Sequence, residues 1–161
     1  MLVQQSINGE DFFYRPWSVF KVGLGDPSGN YWLGNELLSQ LTANDSYKLR
    51  FDLQAYRNGR WYHAEYSTFR VLTEADNYKL QVAGYSGNAS YDAFGWHNGM
   101  VFSTYDRDND WWRSNCAVHA GGGFWYKMYE WCSVNSVHYF NWRGLPGGDA
   151  LQSSRMWLQC K

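Results

Sequence analysis

Asp106, Asp108 and Asp110 stand at i, i+2 and i+4 within Asp106-Arg107-Asp108-Asn109-Asp110. In extended or looping backbone that spacing points carboxylates to one side, and calcium takes clustered hard oxygens together with backbone carbonyls. The run lacks the glycine and the closing glutamate of an EF-hand loop, so on its own it reads more simply as a solvated turn. Signs of catalysis are sparse. His63, His97, His119 and His138 are scattered, with no H-E-x-x-H pair to hold zinc. Gly84-Tyr85-Ser86-Gly87 lacks the second spacer of a G-x-S-x-G nucleophile elbow. Gly121-Gly122-Gly123 has no following Lys-Ser/Thr, so it is no phosphate cradle; it is expected to free the loop before Phe124. These patterns predict a protein that is not an enzyme. His97 is expected to be buried and hydrogen-bonded.

Composition points to recognition. The 161 residues suit one domain with its own core, and the formal net charge of -1 argues against an electrostatic grip on nucleic acid. No stretch reaches the apolar length of a membrane span, so no membrane insertion is expected. Aromatic residues make up 20% of the chain, with 10 Trp, 13 Tyr and 9 Phe. Rigid amphipathic rings suit binding surfaces, and they also fill irregular cores. Position must decide between the two. Cys116, Cys132 and Cys160 leave one thiol over if a pair forms. A disulfide implies an oxidising compartment, and Asn44-Asp45-Ser46 and Asn88-Ala89-Ser90 agree as N-x-S triplets. A secreted, extracellular protein is the expectation, although the first residues carry no basic and apolar leader.

Several elements must position these groups. Pro16 to Leu24 places Trp17, Phe20, Val22 and Leu24 at helical spacing behind a proline, and Asn35 to Leu41 reads as a second short helix. Tyr47 to Leu53 alternates as a strand, Trp61 to Tyr66 and Ser67 to Val71 read as two more, and Tyr78 to Tyr85 alternates again. Asn58-Gly59 is a hairpin signal. From Gly87 onward periodicity fades and Gly, Asn, Asp and Trp dominate. The pattern is that of an α+β domain with its chemistry in loops.

Five segments, in order and at matching spacing, resemble the fibrinogen C-terminal domain family. They are Gly9-Glu10-Asp11-Phe12-Phe13-Tyr14-Arg15-Pro16-Trp17, Tyr31-Trp32-Leu33-Gly34-Asn35-Glu36, Tyr47-Lys48-Leu49-Arg50-Phe51-Asp52-Leu53, His97-Asn98-Gly99-Met100-Val101-Phe102-Ser103-Thr104, and Asp106 to Asp110 leading to Asn115-Cys116-Ala117. The resemblance implies a single domain over residues 1–161: a twisted, mostly antiparallel sheet with short flanking helices and a long calcium-binding loop region. It departs from the family in three ways. The N-terminal subdomain is absent, and the loop between His138-Tyr139-Phe140 and Trp142-Arg143-Gly144 is shortened. Cys116 and Cys132 stand sixteen apart (132 − 116), where the family has thirteen, a count that lands on Tyr129.

By this resemblance Asp108 and Asp110 bind a structural calcium ion through their carboxylates, with main-chain oxygens of Trp112 and Ser114, and Asp106 is an outer or capping residue. A Cys116–Cys132 disulfide follows the family pattern. Sugar-binding relatives hold an acetyl group between aromatic walls and main-chain N–H groups at a cis peptide before the second cysteine. The corresponding residues are Trp125, Tyr126, Trp131, Cys132, Ser133 and Tyr139. If the cysteine sets the register, Trp131-Cys132 is the cis bond and Ser133 offers its N–H. If gap-free counting sets it, Met128-Tyr129 is the bond and Glu130 follows. The leading expectation is therefore a lectin for N-acetylated glycans in innate immune or self/non-self recognition. The alternative is a protein-binding module of the same fold. Weak sugar sites would favour a homo-oligomer, to which Cys160 could contribute a link, although a tolerated free thiol is the favoured reading of that residue.

Overall fold

Strands alternate and helices recur at about 3.6 residues because burial demands it, and here the periodic segments assemble into one sheet. The computed structural model describes residues 1–128 and 131–161. The sheet has the order β2-β3-β1-β9-β4-β5-β6, and each described pairing is antiparallel. Its strands are β1 (Leu2–Ser6), β2 (Leu24–Gly25), β3 (Tyr31–Trp32), β4 (Tyr47–Ala55), β5 (Trp61–Val71), β6 (Leu80–Gly87) and β9 (Leu151–Cys160). A separate pair joins β7 (Cys132–Ser133) to β8 (Asn141–Trp142). Among the described residues, short α-helices accompany them: α1 (Trp17–Val22), α2 (Asn35–Thr42) and α3 (Cys116–Ala120).

In β4, Leu49, Phe51, Leu53 and Ala55 are buried while the intervening residues are not, which is the alternation legible in its sequence. The two strands expected from Trp61 to Val71 are one continuous strand. The hairpin from β4 to β5 turns at Asn58-Gly59, where Gly59 takes φ 67°, a conformation that costs glycine least.

The second half of the chain carries more regular structure than its sequence suggests. β9 runs for ten residues through the middle of the sheet, between β1 and β4. A register shift opposite Gln54 and Ala55 lets Leu151 and Ser154 share the face of Ala55 and Leu53. Ser153 on the other face is covered as its hydroxyl donates to Ser6 O, so the alternation of burial breaks. β1 is hidden for a related reason, since Gln4 is fully buried. Its amide donates to Val134 O at 3.0 Å and Asn135 Oδ1 at 3.1 Å, and its Oε1 accepts from Ser154 Oγ at 3.2 Å. A polar side chain satisfied in this way is a core residue that a hydropathy pattern misses.

The inner face of the sheet packs on rings. Trp32, Phe20, Phe102, Trp125, Phe94 and Phe124 meet edge-on or tilted at 5.2–6.0 Å, as in Phe102–Trp125 at 5.2 Å and Trp32–Trp125 at 5.9 Å. Such pairs contribute roughly 0.5–1.5 kcal/mol beyond area burial. The buried indoles also find acceptors: Trp32 Nε1 donates to Asn35 Oδ1, Trp125 Nε1 to Tyr78 O and Trp142 Nε1 to Tyr91 O. Gly121-Gly122-Gly123 serves this packing, which corrects its expected role as a source of loop freedom. A Cβ on Gly122 would collide with Asn135 O, so only glycine lets these backbones approach.

His97 is fully buried at the end of a 3-10 helix, Phe94–His97. Nδ1 faces Trp125 O at 2.9 Å, and Nε2 faces the Cys132 N–H at 3.3 Å. A carbonyl can only accept and an amide N–H can only donate, so the neutral ring carries its proton on Nδ1. Burial lowers its pKa from 6.5 to about 4. The folded pKa lies below the unfolded one, so the stabilisation is present above pH 6.5 and is lost as pH falls toward 4. The loss approaches ~3 kcal/mol. We expect His97→Gln to flatten this part of the stability profile between those limits, read as the difference from wild type in denaturant melts. Parallel profiles for the two proteins would refute the neutral assignment.

Candidate functional site

The carboxylate run lies in the loop after Thr104, and its three members have separate roles. Asp106 Oδ1 accepts the Trp17 N–H at 2.9 Å and the Thr104 hydroxyl at 2.7 Å, so it caps the first turn of α1. Asp110 sits deeper. Its Oδ1 accepts the Trp112 N–H at 2.8 Å and its Oδ2 the Cys116 N–H at 2.9 Å, which ties the loop to the start of α3. Asp108 Oδ1 accepts the Asp110 N–H at 3.3 Å. Burial, reinforced by a hydrogen bond with Asp108, pushes the Asp110 carboxyl up to about 6, against the opposing pull of the Cys116 and Trp112 N–H groups. Two carboxyls this close share a proton or a cation. That donor set fits a hard divalent ion. No cluster of three or more His, Cys, Asp or Glu capable of holding a metal occurs among the described residues, so main-chain oxygens and water would complete the shell.

The residues expected to wall a sugar pocket do not converge. Trp125 and Tyr126 have no exposed surface. Trp125 lies in the ring core, and the Tyr126 hydroxyl donates to Gly122 O at 2.6 Å. Both are core residues, and the expectation that they contact ligand is corrected on that ground. Cys132 and Ser133 are likewise fully buried, in β7. The Trp131-Cys132 peptide is not cis, contrary to the cysteine-set register. Trp131 O accepts the Arg143 N–H at 2.8 Å, and Cys132 pairs with Trp142 in ordinary extended backbone. The alternative register falls on Met128-Tyr129 and Glu130 and so lies outside the described residues. The expected Cys116–Cys132 disulfide is not formed: Cys132 keeps its thiol, with its amide held by His97. Burial pushes that thiol well above its usual range, so it stays protonated. Cys160 is exposed at the end of β9.

Trp131 and Tyr139 do reach the surface, in different company. Tyr139 stacks on His119 at 4.8 Å, and His119 in turn meets Trp112 at 5.2 Å. Beside this group, Asp11, Tyr14, Val118, Gly121, Val137 and His138 line an open cleft of about 390 Å³. Trp131 stacks flat on Trp96, with centroids 4.1 Å apart and planes at 7°. Tyr91 adds a tilted ring at 5.3 Å. Lys127 Nζ sits 4.0 Å over Trp96 and 5.1 Å from Trp111, and the Arg143 guanidinium lies 4.5 Å over Trp131. The result is an outward-facing tier of alternating cations and rings. Trp111 is 66% exposed and Trp96 is 36% exposed. Sequence reading passed over Trp96, Trp111, Lys127 and Arg143. The available signal was a tryptophan beside a glycine, as at Gly95-Trp96, or beside a carboxylate, as at Asp110-Trp111, away from any alternating run where a core face would claim it.

Residues 1–154 match the family model described as fibrinogen beta and gamma chains, C-terminal globular domain. Angiopoietin-related protein 2 of Homo sapiens is 41% identical over 158 residues, covering 98% of this chain and 31% of that protein. The chain thus spans about a third of that relative's length. The solved fibrinogen-like globe domain of human ANGPTL2 has a TM-score of 0.90 at 35% identity, covering 99% of this chain and 79% of that one. Lamprey fibrin D-dimer, solved with the peptide ligand Gly-His-Arg-Pro-amide, has a TM-score of 0.81 at 27% identity, covering 98% and 60%. With the family model matched over nearly its whole length, the chain belongs to the fibrinogen C-terminal globular domain family.

Proposed function

We propose that this chain is a non-catalytic extracellular recognition domain that binds a protein partner through its loop face. The observation that carries the reading is the exposed Trp96–Trp131 stack with its flanking cations. It offers a broad, rigid aromatic surface, and Trp and Arg are the side chains that most often dominate protein interfaces. The relatives support the same reading, since the chain resembles angiopoietin-related proteins and a fibrin solved with a peptide ligand. An N-acetylated glycan is the weaker candidate, because two of its expected walls, Trp125 and Tyr126, are enclosed in the core.

Calcium fits this reading as an ordering ion. The carboxylates of Asp108 and Asp110, with the main-chain oxygens expected from Trp112 and Ser114, would hold it, and when bound it would neutralise two crowded negative charges. Asp110 meanwhile links the loop to α3 through the Cys116 N–H, and its neighbour Trp111 projects into the aromatic tier.

Calcium should raise the melting temperature, by ~2–3 kcal/mol of stability at concentrations about a hundredfold above Kd. Asp108→Asn should erase that increment without weakening the fold in chelator, because the amide keeps an oxygen for the Asp110 N–H and removes a carboxyl crowded against Asp110. A calcium increment that survives in Asp108→Asn would refute the assignment. For the partner class, the labelled domain should bind cells in a way that trypsin treatment of the cells abolishes and free N-acetylglucosamine does not reduce. Binding that resists trypsin and is displaced by the sugar would make the domain a lectin.

A further inference from the structure

Lys127 and Arg143 are placed unlike the ion-paired cations among the described residues. Lys21, Lys48, Arg50 and Lys161 pair with carboxylates, at 2.5–3.1 Å. Lys127 and Arg143 lie on tryptophan faces instead, as do Arg107 over Trp17 and Arg155 over Trp61. Arg107 also donates to Asn77 Oδ1 and Arg155 to Gln5 Oε1, whereas neither Lys127 nor Arg143 forms an ion pair or a side-chain hydrogen bond among the described residues. A ring holds a cation in place through its quadrupole but leaves its charge and outward N–H groups available. Among the described residues, Asp92, Asp110 and Asp149 near this surface each accept hydrogen bonds already, Asp149 Oδ1 from the Gly144 N–H at 2.8 Å. Asp92 Oδ1 accepts the Tyr66 hydroxyl at 2.7 Å and the Gly95 N–H at 2.9 Å, and Asp110 accepts two backbone N–H groups.

The tier is also held in register by main chain. Trp111 N–H donates to Lys127 O at 2.9 Å, and Arg143 N–H donates to Trp131 O at 2.8 Å. Each cation is thus tied to a ring beside it by its own backbone as well as by its side chain. A pre-organised surface loses little entropy on binding.

We propose that this tier docks an acidic segment of a partner protein, with carboxylates reaching Lys127 and Arg143 and apolar side chains covering the Trp96–Trp131 stack. The inference rests on the protein-binding reading above and adds the partner's chemistry. An extended peptide projects residues i, i+2 and i+4 to one side, so a segment with carboxylates and apolar groups alternating within that set presents both in turn along one surface. A polysulfated glycan supplies anions alone and favours dense basic patches, whereas this tier sets Lys127 and Arg143 apart with rings between them, on a protein of net charge -1.

The test is a tryptophan-fluorescence titration of the whole chain with three capped peptides of equal length, each a four-residue repeat that sets both groups on one face: Glu-Ser-Leu-Ser (the Glu-Leu peptide), Gln-Ser-Leu-Ser (the Gln-Leu peptide) and Lys-Ser-Leu-Ser (the Lys-Leu peptide). The Glu-Leu peptide should bind at least ~10-fold more tightly than the Gln-Leu peptide, weaken as salt rises, and outcompete the Lys-Leu peptide entirely. Lys127→Glu with Arg143→Glu should reverse the preference toward the Lys-Leu peptide, with an unchanged circular dichroism spectrum and melt. Equal affinity for the Glu-Leu and Gln-Leu peptides would overturn the proposal, as would undiminished Glu-Leu binding by the double variant. Binding of a heparin oligosaccharide without binding of the Glu-Leu peptide would also overturn it. If charge selectivity fails while trypsin-sensitive cell binding persists, the protein-binding reading stands and only the acidic partner falls. If cell binding resists trypsin and yields to the sugar, the underlying reading falls.

Discussion

The neutral imidazole of His97 joins the two halves of this protein. On one side its Nδ1–H meets the carbonyl of Trp125, the ring at the centre of the aromatic core. On the other its Nε2 receives the amide of Cys132, where β7 begins. A charged ring could not serve both partners, because an imidazolium has only donors to offer. Full burial keeps it neutral, and the interaction is strong because no water competes there. The strands of the first half therefore fix where the loops of the second half lie, and Trp131 is set one residue from that anchor.

From this anchor the loop face follows. Residue 96 precedes the histidine and residue 131 precedes the cysteine it holds, so the His97–Cys132 contact brings their two tryptophans face to face. Neither ring has an alternative burial site within the core, since Trp32, Trp125 and Trp142 already occupy it. Stacking at the surface removes part of each face from water while leaving a flat apolar plane exposed, an arrangement that marks interaction sites. The carboxylate loop joins at the far side through Trp111. Its ordering thus bears on the same surface as the anchor does, and the carboxylates proposed to hold calcium adjoin the surface proposed for recognition through Trp111.

A second consequence concerns the cysteines. With its amide engaged by His97 and its side chain enclosed, Cys132 has become a core residue, and free cysteine packs well as a small hydrophobe. The sixteen-residue spacing (132 − 116) already departed from the family's thirteen. In the folded chain the second cysteine serves packing rather than cross-linking.

Periodic burial made β4, most of β5, α1 and α2 readable in the sequence, and the five motifs identified the family fold. The chemical type of Asp108 and Asp110 likewise made them candidates for a hard cation before any geometry was known. What tertiary structure alone decided was which amphipathic groups face inward. Trp125 and Trp131 are the same residue type in similar loop sequence, yet one is the middle of the core and the other half of a surface stack. Gln4 and Ser154 read as polar surface but are buried, because each satisfies the other. Local sequence records what a side chain can do, whereas burial and partnership depend on neighbours more than a hundred residues away, and those are chosen only when the sheet closes around β9.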